Sequence, residues 1–365
     1  MKNKPSLGVM TIYINSKKQF EERSYLKKLL LYGKKLGLNI FVFTPENVDV
    51  KNNKIHAYFY DQKIAKWIRK WTDIPDMIFD RCRFQGSPRF KQVQKFRNKY
   101  PDLIYLNRPL ANKWIVHQKL SKNNKIKNVL PQCTLENKFD DVLKFMDQSK
   151  IAFYKPIKGT GGTGILKIKK LNDHKFLIQG RKHNRKIIPS QQVNKSQLKI
   201  LCKSLNSIKT YMIQQGIDLK LDNGRVHDYR LLIQKDEAGQ WNLTGCVGRM
   251  GPKGSVTSNL HGGGSALPAD QLLSHWFEND QINRIKQNME EISHEIVHEF
   301  ESQGYELCEL ALDIAVDHSG KIWLLEVNSK PGRKAFSKIG EDKTYTKAIV
   351  KPLEYALWLY DNKNN

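Results

Sequence analysis

Apolar positions in the first third of the chain fall into short runs and one helical stripe. Residues 7–14 form a run that reads as a first strand, Leu26, Leu29, Leu30 and Leu36 recur at helical spacing within 20–36, and Asn39–Phe43 reads as a second strand ending before Pro45. Runs at 74–79 and 103–106 repeat the buried-strand pattern, so residues 1–110 are expected to form an α/β domain on a mostly parallel sheet. Further on, 113–122 reads as helix, Pro131 breaks the chain, and 151–154 is a strand leading into a glycine loop. Residues 170–200 are polar and lysine-rich and are expected to form a surface segment. The runs 211–213, 229–233, 243–247, 310–316 and 322–327 predict one antiparallel sheet, with a long helix over 280–303 between the third and the fourth.

That helix contains an H-E-x-x-H match, His294 to His298, the spacing of helical zinc proteases. Its apolar stripe (Ile282, Ile285, Met289, Ile292, Ile296, Phe300) leaves both histidines nearly opposite the buried face, which argues against a zinc site.

Composition narrows the classes. A chain of 365 residues that is 39% hydrophobic and 27% charged is expected to be globular, with two or three domains. No run approaches the length of a membrane span, and the 7–14 run lacks a signal-peptide cleavage site. Five scattered cysteines, Cys82, Cys133, Cys202, Cys246 and Cys308, point to reduced thiols in the cytoplasm. The net charge of +26 is uneven: residues 1–210 carry 45 basic and 14 acidic groups, while 211–365 carry 17 and 22. With 48 lysines against 14 arginines and no nucleic-acid-binding motif, nucleic acid is disfavoured, and an anionic or polymeric acceptor is the expected partner. No G-x-G-x-x-G follows the first strand, which excludes the usual dinucleotide fingerprint.

Three constellations carry candidate chemistry. A tight turn at Ser319 and Gly320 would set Asp313 opposite Glu326, with Asn328 on the same face as Glu326. Facing carboxylates repel, so a divalent cation with hard oxygen ligands, magnesium or manganese, is expected there; the alternative is a carboxylate turned to solvent at an edge. Lys155 precedes the run Gly159-Thr160-Gly161-Gly162-Thr163-Gly164, whose backbone amides could approach phosphate, although a plain flexible connection has the same composition. A turn at 236–239 would bring Asp228, Arg230, Val247 and Arg249 onto one face, suited to an oxyanion or else to a solvated salt-bridge surface.

In order, Lys113, the 155–164 loop, the 211–217 segment, Asp228-Tyr229-Arg230, Ser258-Asn259-Leu260-His261-Gly262-Gly263-Gly264 and Glu326-Val327-Asn328-Ser329-Lys330-Pro331-Gly332 resemble the ATP-grasp superfamily across 107–335. The D-x-R, S-N-L-H-x-G-G and E-V-N-x-x-P-G signatures are similar to those of ribosomal-protein glutamate ligases and glutathione synthetases. The whole chain most resembles the YheC/YheD family of spore-coat-associated ATP-grasp proteins of endospore-forming bacteria.

The resemblance implies an α/β and α+β architecture: an N-terminal pre-ATP-grasp α/β domain (1–110), a glycine-loop subdomain (111–210), a catalytic subdomain (211–355) and a tail (356–365). It implies ATP bound through Lys113, Lys155 and the loop residues Gly159, Thr160, Gly161, Gly162 and Thr163. Gln214 and Gln215, largely through backbone, and Ile217 would form the adenine hinge. Asp228 would hold the ribose side, and Thr257, Ser258 and Asn259 would line the pocket. Asp313, Glu326 and Asn328 would ligate two magnesium ions, with manganese a substitute, and Arg230 and Arg249 would face the γ-phosphate and the acyl intermediate. Arg81 and Arg83 are candidate substrate contacts, the alternative being surface charge. The implied activity is a carboxylate–amine or carboxylate–thiol ligase acting through an acylphosphate and releasing ADP and phosphate, in the cytoplasm in association with the forming spore coat. A nucleotide-binding structural coat protein and a kinase-like phosphotransferase are the alternatives.

Overall fold

Alternating apolar positions build three β-sheets. The computed structural model describes residues 4–83, 88–159, 161–207, 209–258, 260 and 263–364, so the expected site residues Thr160 and Asn259, with His261 and Gly262 of the adjoining motif, lie outside the described residues. The first region contains β1 (Ser6–Met10), α1 (Arg23–Lys35), β2 (Asn39–Phe43), β3 (Val48–Asp49), β4 (Lys54–Asp61), β5 (Lys66–Asp73), β6 (Met77–Asp80), α2 (Pro88–Lys99) and β7 (Ile104–Tyr105). Its sheet runs β3-β4-β2-β1-β6-β7, with β5 paired to β4. The parallel part is β2-β1-β6-β7, as the sequence suggests, but β3, β4 and β5 add an antiparallel flank. That flank escapes the hydrophobic pattern because only Ile55 and Ala57 of β4 are fully buried, and β5 buries none of its side chains completely.

The second region contains α3 (Lys113–Leu120), α4 (Asn124–Lys127), β8 (Cys133–Leu135), α5 (Phe139–Gln148), β9 (Ile151–Pro156), β10 (Ile165–Lys170), β11 (Lys175–Arg181), β12 (Ile187–Asn194), α6 (Lys195–Asn206) and β13 (Tyr211–Gln215). The sheet order is β12-β11-β10-β9-β13-β8. Two expectations are corrected here. The lysine-rich stretch 170–200 is ordered as β11, β12 and the start of α6, because Phe176, Ile178, Ile188 and Leu198 point inward between solvated lysines. Tyr211–Gln215 does not join the C-terminal sheet; it lies between β9 and β8, with Tyr211 and Ile213 in the core of the second region.

The third region contains β14 (His227–Lys235), β15 (Trp241–Met250), β16 (Ser265–Pro268), α7 (Ala269–Leu273), α8 (Asn279–Ser302), β17 (Glu309–Val316), β18 (Ile322–Asn328), α9 (Lys334–Lys338) and α10 (Asp342–Asn364), with an antiparallel sheet β16-β15-β14-β17-β18. All six stripe residues of α8 are buried against it. The segment expected as a tail is the end of α10, whose Ala356 and Leu359 share one core with Leu26, Leu29 and Leu30 of α1. Among the described residues, no helix is long and apolar enough to cross a membrane.

The first and third regions are joined through Glu309, whose side chain has no solvent exposure. Arg81 Nη1 donates to Glu309 Oε1 at 2.8 Å, Arg333 Nη2 donates to Oε2, and Gln234 Nε2 donates to Oε2 at 3.0 Å. Arg81 also reaches Glu22 at 2.9 Å. Burial works against ionisation of Glu22, but Arg81 and Arg83 outweigh it and bring its carboxyl down to about 2. Glu22 sits in the left-handed region at φ 56°, a conformation that costs a non-glycine residue on the order of 1 kcal/mol and that these ion pairs offset.

Replacing Glu309 by Gln leaves two buried guanidiniums short of a counter-charge and is expected to lower unfolding free energy by about 3–5 kcal/mol. Breaking the exposed Lys54–Asp73 pair by Asp73→Asn should cost no more than about 1 kcal/mol. Urea unfolding of both variants measures the contrast, and equal small losses would refute the role given to Glu309.

Candidate active site

The two central hairpins set the register of the charged residues, and both do so with a bulge. In β17–β18, Val316 faces Ile322 and Ile314 faces Leu324; Leu325 is an extra residue, beyond which Asp313 faces Glu326 and Ala311 faces Asn328. The turn is longer than the expected two residues, with the Asp317 carboxylate accepting from the Ser319 and Lys321 amides at 3.0 and 3.2 Å, and the bulge restores the expected pairing at the acids. In β14–β15, Thr244 is the extra residue, and beyond it Asp228 faces Arg249 and Arg230 faces Val247. This register lies two steps from the expected one, a shift that keeps every side chain on its predicted face.

Since β14 also pairs with β17, Arg230 stands opposite Asp313. Four strands thus carry a continuous row: Arg249, then Asp228 and Arg230, then Asp313, then Glu326. Arg230 Nε and Nη2 donate to the two Asp313 oxygens at 2.5 and 3.0 Å. Arg249 donates to both Asp228 oxygens at 2.7 and 2.5 Å and lies 3.1 Å from Asp313 Oδ2. The expectation of two unpaired, repelling carboxylates is therefore corrected: Asp313 has two guanidinium partners, and Glu326 Oε1 lies 3.4 Å from Lys113 Nζ. Burial pushes the Asp313 carboxyl up, but Arg230 and Arg249 prevail and hold it below the ordinary carboxylate value.

Glu326 faces a cleft between the second and third sheets. Lys113, at the first turn of α3, donates to the Gly159 carbonyl at 2.6 Å and so links the glycine loop to β18. Its helix start is fixed by the Asn112 side chain, which accepts from the Trp114 and Ile115 amides. Lys155, at the end of β9, donates to Gln214 Oε1 at 2.5 Å within the same cleft. Burial pulls the Lys155 ammonium below the ordinary lysine value, only partly countered by Glu326. Val116, Leu120, Leu130, Met212 and Leu324 supply apolar walls. His117, one helical turn beyond Lys113, also lines the cleft, and burial followed by Lys155 holds its imidazole below its ordinary value. A lone histidine gave no sequence signal; its position four residues after Lys113 is what could have flagged it.

The glycine loop connects β9 to β10 with Gly161, Gly162 and Gly164 at φ of 71°, 67° and 69°. A side chain at Gly164 would run into the His183 ring and the Tyr211 hydroxyl, which donates to the Gly164 carbonyl at 2.9 Å. Strand β13 is paired on both sides and Gln215 N donates to the Gln132 carbonyl at 2.8 Å, while Gln132 N donates to the Gln215 side-chain Oε1 at 3.2 Å. It is the Gln214 amide side chain that reaches the cleft, and Ile217 is buried just beyond. Thr257 and Ser258 lie past β15, where Ser255 Oγ donates to the Thr257 carbonyl at 2.8 Å and that carbonyl packs against Gly251, two residues from Arg249.

Arg81 and Arg83 are neither free substrate contacts nor surface charge. Arg83 Nε donates to the Lys330 carbonyl at 3.1 Å, Arg81 Nη2 donates to the Pro331 carbonyl at 2.8 Å, and Asn107 Nδ2 donates to the Ser329 carbonyl. Lys330 Nζ in turn donates to the Asp80 carbonyl at 2.7 Å and pairs with its carboxylate. Three successive carbonyls after Asn328 are thus held from the first region. Sequence reading missed Asn107, Glu309 and Arg333, because their side-chain partners lie 24 to 228 positions away and their other partners are backbone atoms.

Asp313, Glu326 and Asn328 offer the hard oxygens that suit magnesium or manganese. Among the described residues no trio of His, Cys, Asp and Glu is arranged around a metal, so the Asn328 amide has to join the two carboxylates. On α8, the Glu295 carboxylate of the H-E-x-x-H segment pairs with Lys125 at 2.7 Å, and His298 is 65% exposed.

Comparison with known proteins gives the same architecture. The family described as YheC/D like ATP-grasp matches residues 102–359. The endospore coat-associated protein YheC of Bacillus subtilis (strain 168) is 27% identical over 365 residues, 98% of each chain. The endospore coat-associated protein YheD of the same organism is 25% identical over 383 residues, 97% of this chain and 79% of that protein. The crystal structure of D-alanyl-alanine synthetase A from Vibrio cholerae O1 biovar eltor str. N16961 shares the fold with a TM-score of 0.57 at 11% identity, covering 97% of this chain and 99% of that one.

His227, beside Asp228 but on the opposite sheet face, gives this region a pH signature. Its Nδ1 lies 2.9 Å from the Leu219 carbonyl, its Nε2 is buried without a partner among the described residues, and burial pushes its imidazole down from 6.5 to about 4. The unfolded chain takes up a proton there near pH 6.5 and the folded chain only near 4, so this contribution is complete above 6.5 and lost as pH falls toward 4. Urea unfolding of His227→Gln at several pH values should show a flatter decline across that window than the parent; identical slopes would refute the assignment.

Proposed function

The chain belongs to the YheC/D-like ATP-grasp family, and on that footing we propose that it is an ATP- and magnesium-dependent ligase joining a carboxylate to an amine. The observation that carries this reading is the convergence of Lys113, Lys155, Gln214 and Glu326 in one cleft between two sheets, bordered by the glycine loop. Two lysines answer the charge of a triphosphate, an apolar-walled slot with one amide answers a purine, and acids at the far end answer a divalent cation.

In this reading Lys113, Lys155 and the amides of Gly159, Gly161, Gly162 and Thr163 hold the phosphates. Gln214 and Ile217 meet the adenine, and Asp228, Thr257 and Ser258 border the ribose side. Asp313, Glu326 and Asn328 hold magnesium, or manganese in its place, which neutralises phosphate charge when bound. A substrate carboxylate oxygen attacks the γ-phosphorus, ADP leaves, and an acylphosphate forms. The amine nitrogen then attacks the acyl carbon, phosphate leaves with the C–O bond pair, and the nitrogen gives up a proton. Arg230 and Arg249 keep Asp313 ionised and face the charge that develops, so positioning and electrostatics carry the rate. Closure of the glycine loop over the site protects the acylphosphate from water.

The near-complete mutual coverage with a coat-associated protein supports an acceptor in spore-coat or envelope material, and the free, largely buried cysteines suit action in the cytoplasm at the forming coat.

The test is ADP release with pooled carboxylates and amines, followed by mass spectrometry of the product. Release should require both substrates and yield a new C–N bond; release with the carboxylate alone would identify a phosphotransferase, and nucleotide binding without turnover a structural protein. Chelation should abolish turnover and magnesium or manganese should restore it. Glu326→Gln should lower turnover by about 100-fold or more with little change in unfolding midpoint; unchanged turnover would remove Glu326 from the site.

A further inference from the structure

The hairpin formed by β4 and β5 carries a second surface, independent of the ligase reading. Its register pairs His56 with Trp71, Tyr58 with Arg69 and Tyr60 with Trp67 on one face. Three of these rings already carry cations: Lys27 Nζ lies 4.5 Å from the Tyr60 ring centre, the Arg23 guanidinium 5.8 Å from Trp67, and the Arg69 guanidinium 4.7 Å from Tyr58. The row ends on a bare ring. Trp71 is 60% exposed and lies flat on His56, with centroids 4.9 Å apart and planes 14° from parallel. Strand β5 pairs with β4 alone, so this face stands at an edge of the first sheet.

An exposed tryptophan backed by a second ring and followed by a file of cations is costly to leave to water. The acid at the end of this face, Asp73, is already neutralised by Lys54 at 2.6 Å, which leaves Arg23, Lys27 and Arg69 as net positive charge. Single-stranded nucleic acid binders offer successive open rings, one per base. Here Tyr58 and Trp67 pack on Phe20 and, with Tyr60, against the core beneath α1, with the cations over their remaining faces, and one platform is open.

We propose that this face binds an anionic glycan chain. One sugar lays its C–H face on Trp71, and carboxylate or phosphate groups of neighbouring units meet Arg69, Lys27 and Arg23. The hairpin occupies the opposite flank of the first sheet from β6 and β7, beside which Asp80, Arg81, Arg83 and Asn107 grip the end of β18. A chain held at the hairpin is tethered to the protein without filling the cleft.

Affinity electrophoresis of the full-length protein in gels containing polygalacturonate, dextran, polyphosphate or oligothymidylate tests this. Polygalacturonate should retard the protein at a concentration at least about tenfold below that needed for the other three, and Trp71→Ala or Arg69→Gln should each weaken retardation about tenfold. The unfolding midpoint and any ATP turnover of Trp71→Ala should equal the parent's. Equal retardation by polyphosphate would reduce the surface to bulk charge, tighter binding of oligothymidylate lost in Trp71→Ala would make it a nucleic-acid surface, and retardation by none or indifference to both variants would overturn the proposal.

Discussion

The carboxylate of Glu309 is the point on which the arrangement of the molecule turns. It opens strand β17, four residues before Asp313, and it is clasped by Arg81 from the first region and Arg333 from the segment after β18. A buried ion pair of this kind contributes little to net stability when compared with an apolar replacement, but it tolerates few alternative packings because an unpaired buried charge is so unfavourable. The same arginines close on the Pro331 carbonyl, so the charge network and the backbone of the Asn328–Arg333 turn are one object. With Asn107 bridging the Ser329 carbonyl and the Cys308 and Glu309 amides, the start of β17 and the end of β18 are fixed relative to each other. The acid pair lies two residues inside that fixed end of the hairpin.

Inside that frame the electrostatics of the site are largely balanced by the protein itself. Asp228 and Asp313 are matched by Arg249 and Arg230, leaving Glu326, whose nearest cation is Lys113 across the cleft. The oxygens of Asp228 and Asp313 are therefore oriented by guanidinium partners, and their orientation does not depend on a metal ion. Preorganisation of this sort is where enzyme electrostatics gain most, since the cost of turning the dipoles has been met by folding.

The faces of this row were legible in the sequence because strand periodicity is indifferent to a shift of two. Hairpin β14–β15 differs from the simplest pairing by two steps and still presents Asp228, Arg230 and Arg249 together; β17–β18 recovers its register through Leu325. What periodicity cannot supply is the partner of a charge. Arg81 reads as an ordinary exposed arginine until its contacts 228 and 250 residues away are known. The β4–β5 hairpin and the 170–200 stretch were obscured for another reason: strands with one solvated face of polar and charged residues dilute the apolar signal below that of a loop. The segment expected as the adenine hinge was half legible, because the sequence marks β13 as a strand but not that both of its edges are paired.

Charge asymmetry along the chain acquires a location from the cleft. Lys113 and Lys155 come from the basic first 210 residues, and Asp313 and Glu326 from the acidic remainder, so the cleft is the seam where the two halves meet. In this structure the seam is bridged by Lys113 and Glu326 at 3.4 Å, a separation at which a partly exposed pair contributes little. On the proposed function, a triphosphate with its divalent cation replaces this one weak pair by two stronger sets: lysines on phosphate oxygens, carboxylates on the cation. Each half of the chain then keeps a partner of opposite sign, and the glycine loop, tied to Lys113 through the Gly159 carbonyl, is free to follow that lysine onto the phosphates. On that reading, binding and loop closure are coupled through a single side chain.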